Sequence, residues 1–457
     1  MQLLIEFRHV QGFRIRKNPV LTYISSVLQR FPIFWKKCVW LIQFRKFKPA
    51  KVQYKKNSDL ETIDLKNKEY WLIFDAQCLQ TQTIQRGIGR YTLEFIEAIC
   101  LEMPTRNFAA ILTTIAPQMN LSAAQLALAE LRCTNLDVLI FDPFKDRKKI
   151  SLIQAQNRIN SMLKLTSYQA FITMSAFENP INVIPVKKDS NKLHVAILYD
   201  LIPLQFPRDL LFSNFKKSIF DFSYNDLIEN NLILAISMTS QNALQKQMKH
   251  DFECVVIYGG TSLQLQEKYN RFEDRSGIVC VGAELSHKNL DRLILAYCQL
   301  PGNIQLEHNL VIIGIRSIGV RIRLLALARK AKIKGKVIIS EYLNENELLK
   351  SYQEMRVLVM PSLAEGLSLP ILEAWSQGLV VIGSSGTVGE EVISNDSQLF
   401  DPFNVSQMGD LISKFLTSKV DWEKASEELL IRQSFFSWKK TATTAILAIE
   451  KGFNDKT

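Results

Sequence analysis

Arg356-Val-Leu-Val-Met360-Pro-Ser-Leu-Ala-Glu365-Gly-Leu-Ser-Leu-Pro370-Ile-Leu-Glu373 is the stretch whose reading decides the fold. Its first five residues are mostly apolar and β-branched and form a run too short for an ordinary helix, which reads as a strand buried in a parallel sheet. Pro370 suits the first position of a helix, where its missing N–H costs nothing, and Ile371, Leu372, Ala374 and Trp375 continue a largely buried helix. Strand, Glu-Gly turn and helix in that order place Glu365 in the crevice beyond the strand's carboxyl end. Glu373 then falls in the helix's first turn, with free N–H groups between the two acids. Carboxylates can grip sugar hydroxyls and N–H groups can face phosphate, so the stretch suits a polyhydroxylated, phosphorylated ligand. A helix-capping acid beside a surface acid would give the same spacing.

Working outward, short apolar runs recur at Tyr70–Phe74, Phe108–Leu112, Leu136–Ile140, Ala170–Ile172, His194–Leu198 and Leu232–Ile236. They recur again at Ile278–Val281, Leu310–Ile313, Val337–Ile339, Val357–Met360 and Leu379–Ile382. Helical stretches such as Leu121–Leu131 and Phe215–Ile228 separate them, and strands alternating with helices predict doubly wound parallel sheets of the α/β class. The polar stretch Leu263–Ser276 interrupts the pattern and reads as a linker. The expected organisation is a leader over 1–68, a first Rossmann-like domain over 69–262, the linker over 263–276 and a second Rossmann-like domain over 277–435. A last helical segment occupies 436–457. A chain of 457 residues that is 47% hydrophobic is long enough for two such cores.

Charge is distributed unevenly. Residues 1–56 hold 13 lysines and arginines against one acid, so the rest of the chain is close to neutral although the whole carries +11. Phe31, Phe34, Trp35, Trp40 and Phe44 interleave with Lys36, Lys37, Arg45 and Lys46. Basic residues among aromatics fit a helix lying on an anionic membrane surface, and a disordered basic leader with no partner is the other reading. No nucleic-acid module surrounds the charge, so nucleic acid is not expected as a partner. Seven cysteines without a C-x-x-C pair read as core residues of a reduced compartment. With no recognisable signal peptide and no run of roughly 18 apolar residues, the expectation is a cytoplasmic protein, peripheral on the inner face of the membrane if the leader binds there.

Three loops carry chemistry. Gln85-Arg86-Gly87-Ile88-Gly89-Arg90-Tyr91 joins the first strand to a helix, and its two glycines allow either close approach of a ligand or a tight turn. Thr92 stands where a dinucleotide fingerprint would place a third glycine. Tyr199-Asp200 follows a strand, with Asp200 open to a capping role as well as a polar one. Val281-Gly282-Ala283-Glu284-Leu285-Ser286-His287-Lys288 opens the second half, and Lys288 is either a solvated helix-start residue or a phosphate cation. His9, His194, His250, His287 and His308 are too scattered for a metal site, and no Asp-x-Asp pair accompanies them. Nucleophile-elbow and Walker sequences are also missing. No metal and no cofactor are expected.

From Asn344 to Asn404 the order and spacing of the parts resemble retaining glycosyltransferases of family 4, which have the GT-B fold. The matching parts are Asn344-Glu-Asn-Glu347, the Pro-Ser-x-x-Glu-Gly turn, Glu365 and Glu373, Gly378, Leu379-Val-Val-Ile382, Ser384-Ser385, Glu390-Glu391-Val392 and Leu399-Phe-Asp-Pro402. The resemblance extends to Arg86-Gly-Ile-Gly-Arg90-Tyr, to Tyr199-Asp200 and to Gly282 with Lys288. It implies two Rossmann-like domains facing a cleft, a nucleoside-diphosphate sugar as co-substrate and a glycan or lipid-linked acceptor. On that pattern Glu365 meets the donor sugar, Glu373 holds the ribose, and Lys288 with Gly366, Leu367, Ser368 and Leu369 receives the leaving phosphate. Gly87, Gly89 and Gly282 line the donor, and Asp200 and Tyr199 lie near the reacting sugar.

Many members have His at position 199, Arg at 283 and Phe-Gly at 367–368, where this chain has Tyr199, Ala283 and Leu367-Ser368. Arg86, Arg90 or Arg316 would then supply the missing phosphate cation. The expected activity is retaining transfer of a hexose in cell-surface polysaccharide synthesis. A weakly active GT-B relic that binds a sugar nucleotide or a partner at the membrane is the alternative.

Overall fold

A computed structural model describes residues 68–114, 121–142, 151–178, 183–248, 252–263, 269–282 and 284–455. The basic segment 1–56 with its membrane reading, His9, His250 and Ala283 lie outside the described residues.

Two parallel sheets organise the chain. The first contains β1 (Glu69–Asp75), β2 (Phe108–Thr113), β3 (Leu136–Phe141), β4 (Ser167–Thr173), β5 (Leu193–Leu198), β6 (Leu232–Ala235) and β7 (Cys254–Val256), in the order β3-β2-β1-β4-β5-β6-β7. The second contains β8 (Ile278–Val281), β9 (Leu310–Ile313), β10 (Val337–Ser340), β11 (Val357–Met360), β12 (Val380–Ser384) and β13 (Leu399–Phe400), in the order β10-β9-β8-β11-β12-β13. Helices cover both faces of such sheets, so central strands are apolar at nearly every position. β5 and β11 are buried throughout, whereas the edge strands β7 and β10 are mostly half-buried.

Side-chain alternation divides the first core. On β2, Phe108, Ala110 and Leu112 join the cluster that includes the Gly87–Glu102 helix, while Ala109 and Ile111 pack with Ala155, Ile159 and Leu163 of the Leu152–Lys164 helix. On β5, Ala196 and Leu198 pack with Phe220 and Leu227 of the Asn214–Ile228 helix. Val195 and Ile197 take the opposite face. The period of two continues past the strand end and fixes where Tyr199 goes.

In both sheets the strand order reverses at one place, between β1 and β4 and between β8 and β11. A crevice opens beyond the carboxyl ends of strands at such a reversal. The loops after β1, β8 and β11 therefore supply the candidate site.

Among the described residues between the sheets, Arg275 is held by a dense set of bonds. Arg275, from the stretch read as a linker, is fully buried and donates to four backbone carbonyls: Asn270 at 3.1 Å, Tyr352 at 2.7 Å, Met355 at 3.1 Å and Gln377 at 2.6 Å. Its guanidinium lies over the Trp422 ring at 5.6 Å. One cation thus ties the crossing segment to two turns of the second sheet's helical layer. The Trp438–Asn454 helix packs against the Gly87–Glu102 helix, and a side chain on Gly452 would press on Leu193 of β5 at 3.1 Å. Gly260 has no room for one at all, since a Cβ there would lie 2.6 Å from the Trp438 nitrogen.

Candidate functional site

Glu365 sits in the turn after β11, 11% exposed, and its Oε1 accepts from Lys288 Nζ at 2.6 Å and from the Ser362 hydroxyl at 2.6 Å. Lys288 stands at the end of a short turn after β8, immediately before the Leu290–Gln299 helix, with Asn289 in the left-handed region at φ 57°. A cation and a carboxylate from two neighbouring strand ends thus meet where the strand order reverses. Beside them, His287 is buried, and burial together with the Lys288 charge lowers its imidazole to about 4, so it is neutral at physiological pH.

The second glutamate is more enclosed. Glu373 lies on the Leu369–Ser376 helix and is 3% exposed. Its Oε2 accepts from the Tyr352 hydroxyl at 2.9 Å, and its Oε1 is 2.7 Å from Arg90 Nη1. Tyr352 belongs to the same half of the molecule; Arg90 comes from the other. Ser368 precedes the helix in the left-handed region at φ 65°, with its hydroxyl buried and lacking a hydrogen-bond partner. Pro370 falls within the first helical turn. Pro370 has no N–H, and the Ile371 N–H donates to the Ser368 carbonyl at 2.9 Å.

Other predicted residues divide between cleft and core. Asp200 accepts from the Ile202 N–H at 3.0 Å across two residues, one position ahead of the helix cap Leu201, and burial raises its carboxyl, with the Glu365 charge raising it further and the Ile202 bond and Lys288 opposing. It therefore faces the same charges as the Glu365 turn. Tyr199 turns its phenol into the core, which corrects the expectation that this side chain lies near the reacting sugar. The strand's alternation turns it toward the Gly87–Glu102 helix, where it lies 3.3 Å from the Thr92 hydroxyl and edge-on to Tyr91 at 5.4 Å. Burial pushes that phenol well above its ordinary range. Its carbonyl is the part near the cleft: a Cβ on Gly366 would lie 2.8 Å from it.

Gly89 is likewise a packing glycine, in the first turn of the Gly87–Glu102 helix, since a Cβ there would lie 2.4 Å from the Thr83 carbonyl oxygen. Gly87 is exposed and lies across from Leu369, whose Cδ1 would be 3.8 Å from an added Cβ. Gly282 has comparable room, bounded by the Lys288 stem at 3.7 Å. The Leu367 side chain is buried against Gly259.

Sequence reasoning missed the contacts that join the two halves. Glu391, on the Val388–Ile393 helix, accepts from the N–H groups of Met238 at 2.6 Å and Thr239 at 2.9 Å and from the Thr239 hydroxyl at 2.7 Å. It thereby caps the Met238–Gln245 helix of the other half. Ser286 donates to Asp209 at 2.6 Å, and Arg316 donates to Gln85 at 2.8 Å while lying over the Tyr342 ring at 4.5 Å. Nothing local in the sequence marks these partners, because each is set by how one half meets the other. Among the described residues no cluster of His, Cys, Asp and Glu could hold a metal ion, and no helix is long and apolar enough to cross a membrane.

Residues 262–429 match the family described as glycosyl transferases group 1. The chain is 25% identical over 409 residues, 82% of its length, to the serotype-specific mannosyltransferase WbdA of Escherichia coli, of which it spans 47%. Over 168 residues, 37% of its length, it is 30% identical to the O-antigen chain mannosyltransferase B of Escherichia coli, of which it spans 44%. The chain thus spans about half the length, or less, of these curated relatives. The crystal structure of Anabaena HepE in complex with UDP and glucose superposes with a TM-score of 0.61 at 14% identity, covering 84% of this chain and all of that one. The fold is GT-B, two Rossmann-like domains facing a cleft.

Proposed function

We propose that this chain, a group 1 glycosyltransferase by its residues 262–429, moves a hexose from a nucleoside-diphosphate sugar to a glycan or lipid-linked acceptor with retention of configuration, in the building of a cell-surface polysaccharide. The observation that carries this is the junction of Lys288, Glu365 and the start of the Leu369–Ser376 helix at the reversal between β8 and β11. A diphosphate needs positive potential, and Lys288 supplies a cation beside the turn that leads from Glu365 into the Leu369–Ser376 helix. The names of the mannosyltransferase relatives support a hexose and a polysaccharide product.

On this reading the donor lies on the second domain, with its ribose toward Glu373 and its diphosphate toward Lys288. When the phosphate arrives, Lys288 exchanges Glu365 for it, and Glu365 is freed to hold a hydroxyl of the sugar. As the glycosidic bond breaks, negative charge grows on the departing diphosphate, and a cation positioned beforehand stabilises that charge more than it stabilises the ground state. Retention by front-face displacement lets the departing phosphate take the acceptor's proton, so no protein base is required. Asp200, with its carboxyl raised by burial and by Glu365, lies by the reacting sugar where closure of the cleft would exclude water.

Transfer and donor hydrolysis over a panel of sugar nucleotides test the proposal, with Glu365→Gln as the control. Turnover of a nucleoside-diphosphate hexose that Glu365→Gln loses is the expected result. Tight nucleotide binding without turnover on a competent acceptor would instead favour the relic that only binds, and no binding would sink both readings. Peripheral attachment through residues 1–56 belongs to the same proposal, and liposome co-sedimentation with and without that segment checks it.

A further inference from the structure

A ribose diol seated on Glu373 competes with the contacts that this carboxylate already makes. Both of its oxygens are occupied, one by Tyr352 at 2.9 Å and the other by Arg90 at 2.7 Å. We infer that Arg90 is a gate on the ribose seat: it fills Glu373 while the cleft lacks a donor, and moves to Glu94, one turn along its own helix, when the nucleotide enters. The inference rests on the ribose role of Glu373 proposed above.

Of the two partners, Arg90 is the one able to leave. Tyr352 is fully buried and rooted in the same domain as Glu373, so its hydroxyl fixes one oxygen in place. Arg90 has 36% of its side chain exposed and reaches Glu373 from the first turn of the Gly87–Glu102 helix across the cleft. The pair is open to water on the Arg90 side and closed on the Glu373 side, so the ribose hydroxyls must re-satisfy a buried carboxylate as Arg90 withdraws.

Glu94 supplies the destination. Residues four apart on a helix face the same side, and opposite charges at that spacing attract. Its Oε1 already accepts from the Ser262 hydroxyl at 2.7 Å. The groups that face it come from every element packed around it: Arg90 on its own helix, Ser262 from the crossing segment, Trp438 from the last helix and Glu373 from the second domain. Burial pushes the Glu94 carboxyl up to about 7, with Glu373 adding to the rise and Ser262, Arg90 and Trp438 opposing it. Near neutral pH, part of the Glu94 population is therefore protonated while Arg90 is engaged with Glu373. Receiving the full charge of Arg90 drives Glu94 to the carboxylate, so nucleotide binding releases a fraction of a proton.

Titration calorimetry of the full chain with GDP, UDP and ADP, in buffers of different ionisation enthalpy at neutral pH, tests the gate. Arg90→Met is expected to tighten binding of whichever nucleotide is accepted by about three- to tenfold, the scale of losing a competing half-buried ion pair, and to abolish proton release. Glu94→Gln is expected to abolish proton release and to weaken binding, since Arg90 then has nowhere to go. Arg90→Lys keeps a cation in the cleft and should fall between wild type and Arg90→Met. Weaker or unchanged binding by Arg90→Met overturns the gate, the former making Arg90 a direct ligand of the nucleotide. Glu373→Gln separates the two claims. If it loses nucleotide affinity while Arg90→Met fails to tighten, the gate falls and the ribose role stands; if it keeps wild-type affinity, the ribose role falls and the gate with it.

Discussion

Replacing Glu391 with alanine should loosen the join between the two halves at one identifiable helix. Its carboxylate accepts from Met238 N–H at 2.6 Å, Thr239 N–H at 2.9 Å and the Thr239 hydroxyl at 2.7 Å, and the Tyr258 phenol hydrogen-bonds to it as well. Removal of an ordinary helix cap costs about 1 kcal/mol, and the charge of a carboxylate at a helix N-terminus adds roughly 0.3–1 kcal/mol. Hydrogen bonds to a charged group are individually larger, but this side chain is only half-buried and water can re-solvate the freed N–H groups. A net loss of about 2 kcal/mol follows, equivalent to roughly 30-fold faster local opening.

Hydrogen exchange on the peptide spanning Met238–Gln245 reads that opening directly, with the Leu290–Gln299 helix as internal reference. Transfer activity should fall with it. The same helix carries Ser240, whose hydroxyl holds the Tyr199 carbonyl at 2.7 Å, and that carbonyl lies against Gly366 of the Glu365 turn. Glu391→Gln, which keeps one acceptor oxygen, should show about half the effect. Exchange in Glu391→Ala indistinguishable from wild type would refute the claim that this carboxylate holds the two halves in register.

Arg275→Met should destabilise the protein by about 3–5 kcal/mol in denaturant titrations, because four carbonyls, two of them fully buried, lose their donor together. Lys288→Met should lower the transfer rate by about 10²–10³-fold, the scale for losing one preorganised group that stabilises developing charge, and pre-steady-state kinetics would locate the loss in the chemical step. Asp75 makes stability depend on pH. Burial raises its carboxyl from 3.8 to about 6, so the folded state binds this proton more tightly than the unfolded chain does. Its contribution is greatest at low pH and is lost as pH rises through the interval from about 4 to about 6. Asp75→Asn should flatten that part of the stability profile relative to wild type, as seen in urea midpoints measured across it.

The strands were largely legible because a buried parallel strand is an uninterrupted apolar run, as Leu310–Ile313 and Val357–Met360 are. Those that escaped, Cys254–Val256 and Leu399–Phe400, are three and two residues long. Such pieces acquire strand geometry from the neighbour they pair with, at a sheet edge, and leave no periodicity to read. Asn344 shows the opposite case. Its capping box with Glu347 is contained within four residues, so the sequence predicts it and the structure contains it, with Asn344 Oδ1 3.0 Å from the Glu347 N–H.

The same division runs through the site. Sequence by itself determined which residues are candidates, since Glu365, Glu373, Lys288 and Asp200 stand at strand ends and helix starts that local chemistry marks. Tertiary structure alone decided their partners. Glu365 neutralises Lys288, Glu373 is taken by Arg90 from the other domain, and the Tyr199 phenol turns into the core while its carbonyl borders the cleft. Propensity and periodicity act over a few residues, whereas an ion pair forms wherever two charges are brought within a few ångströms. That proximity is set by the packing of whole domains.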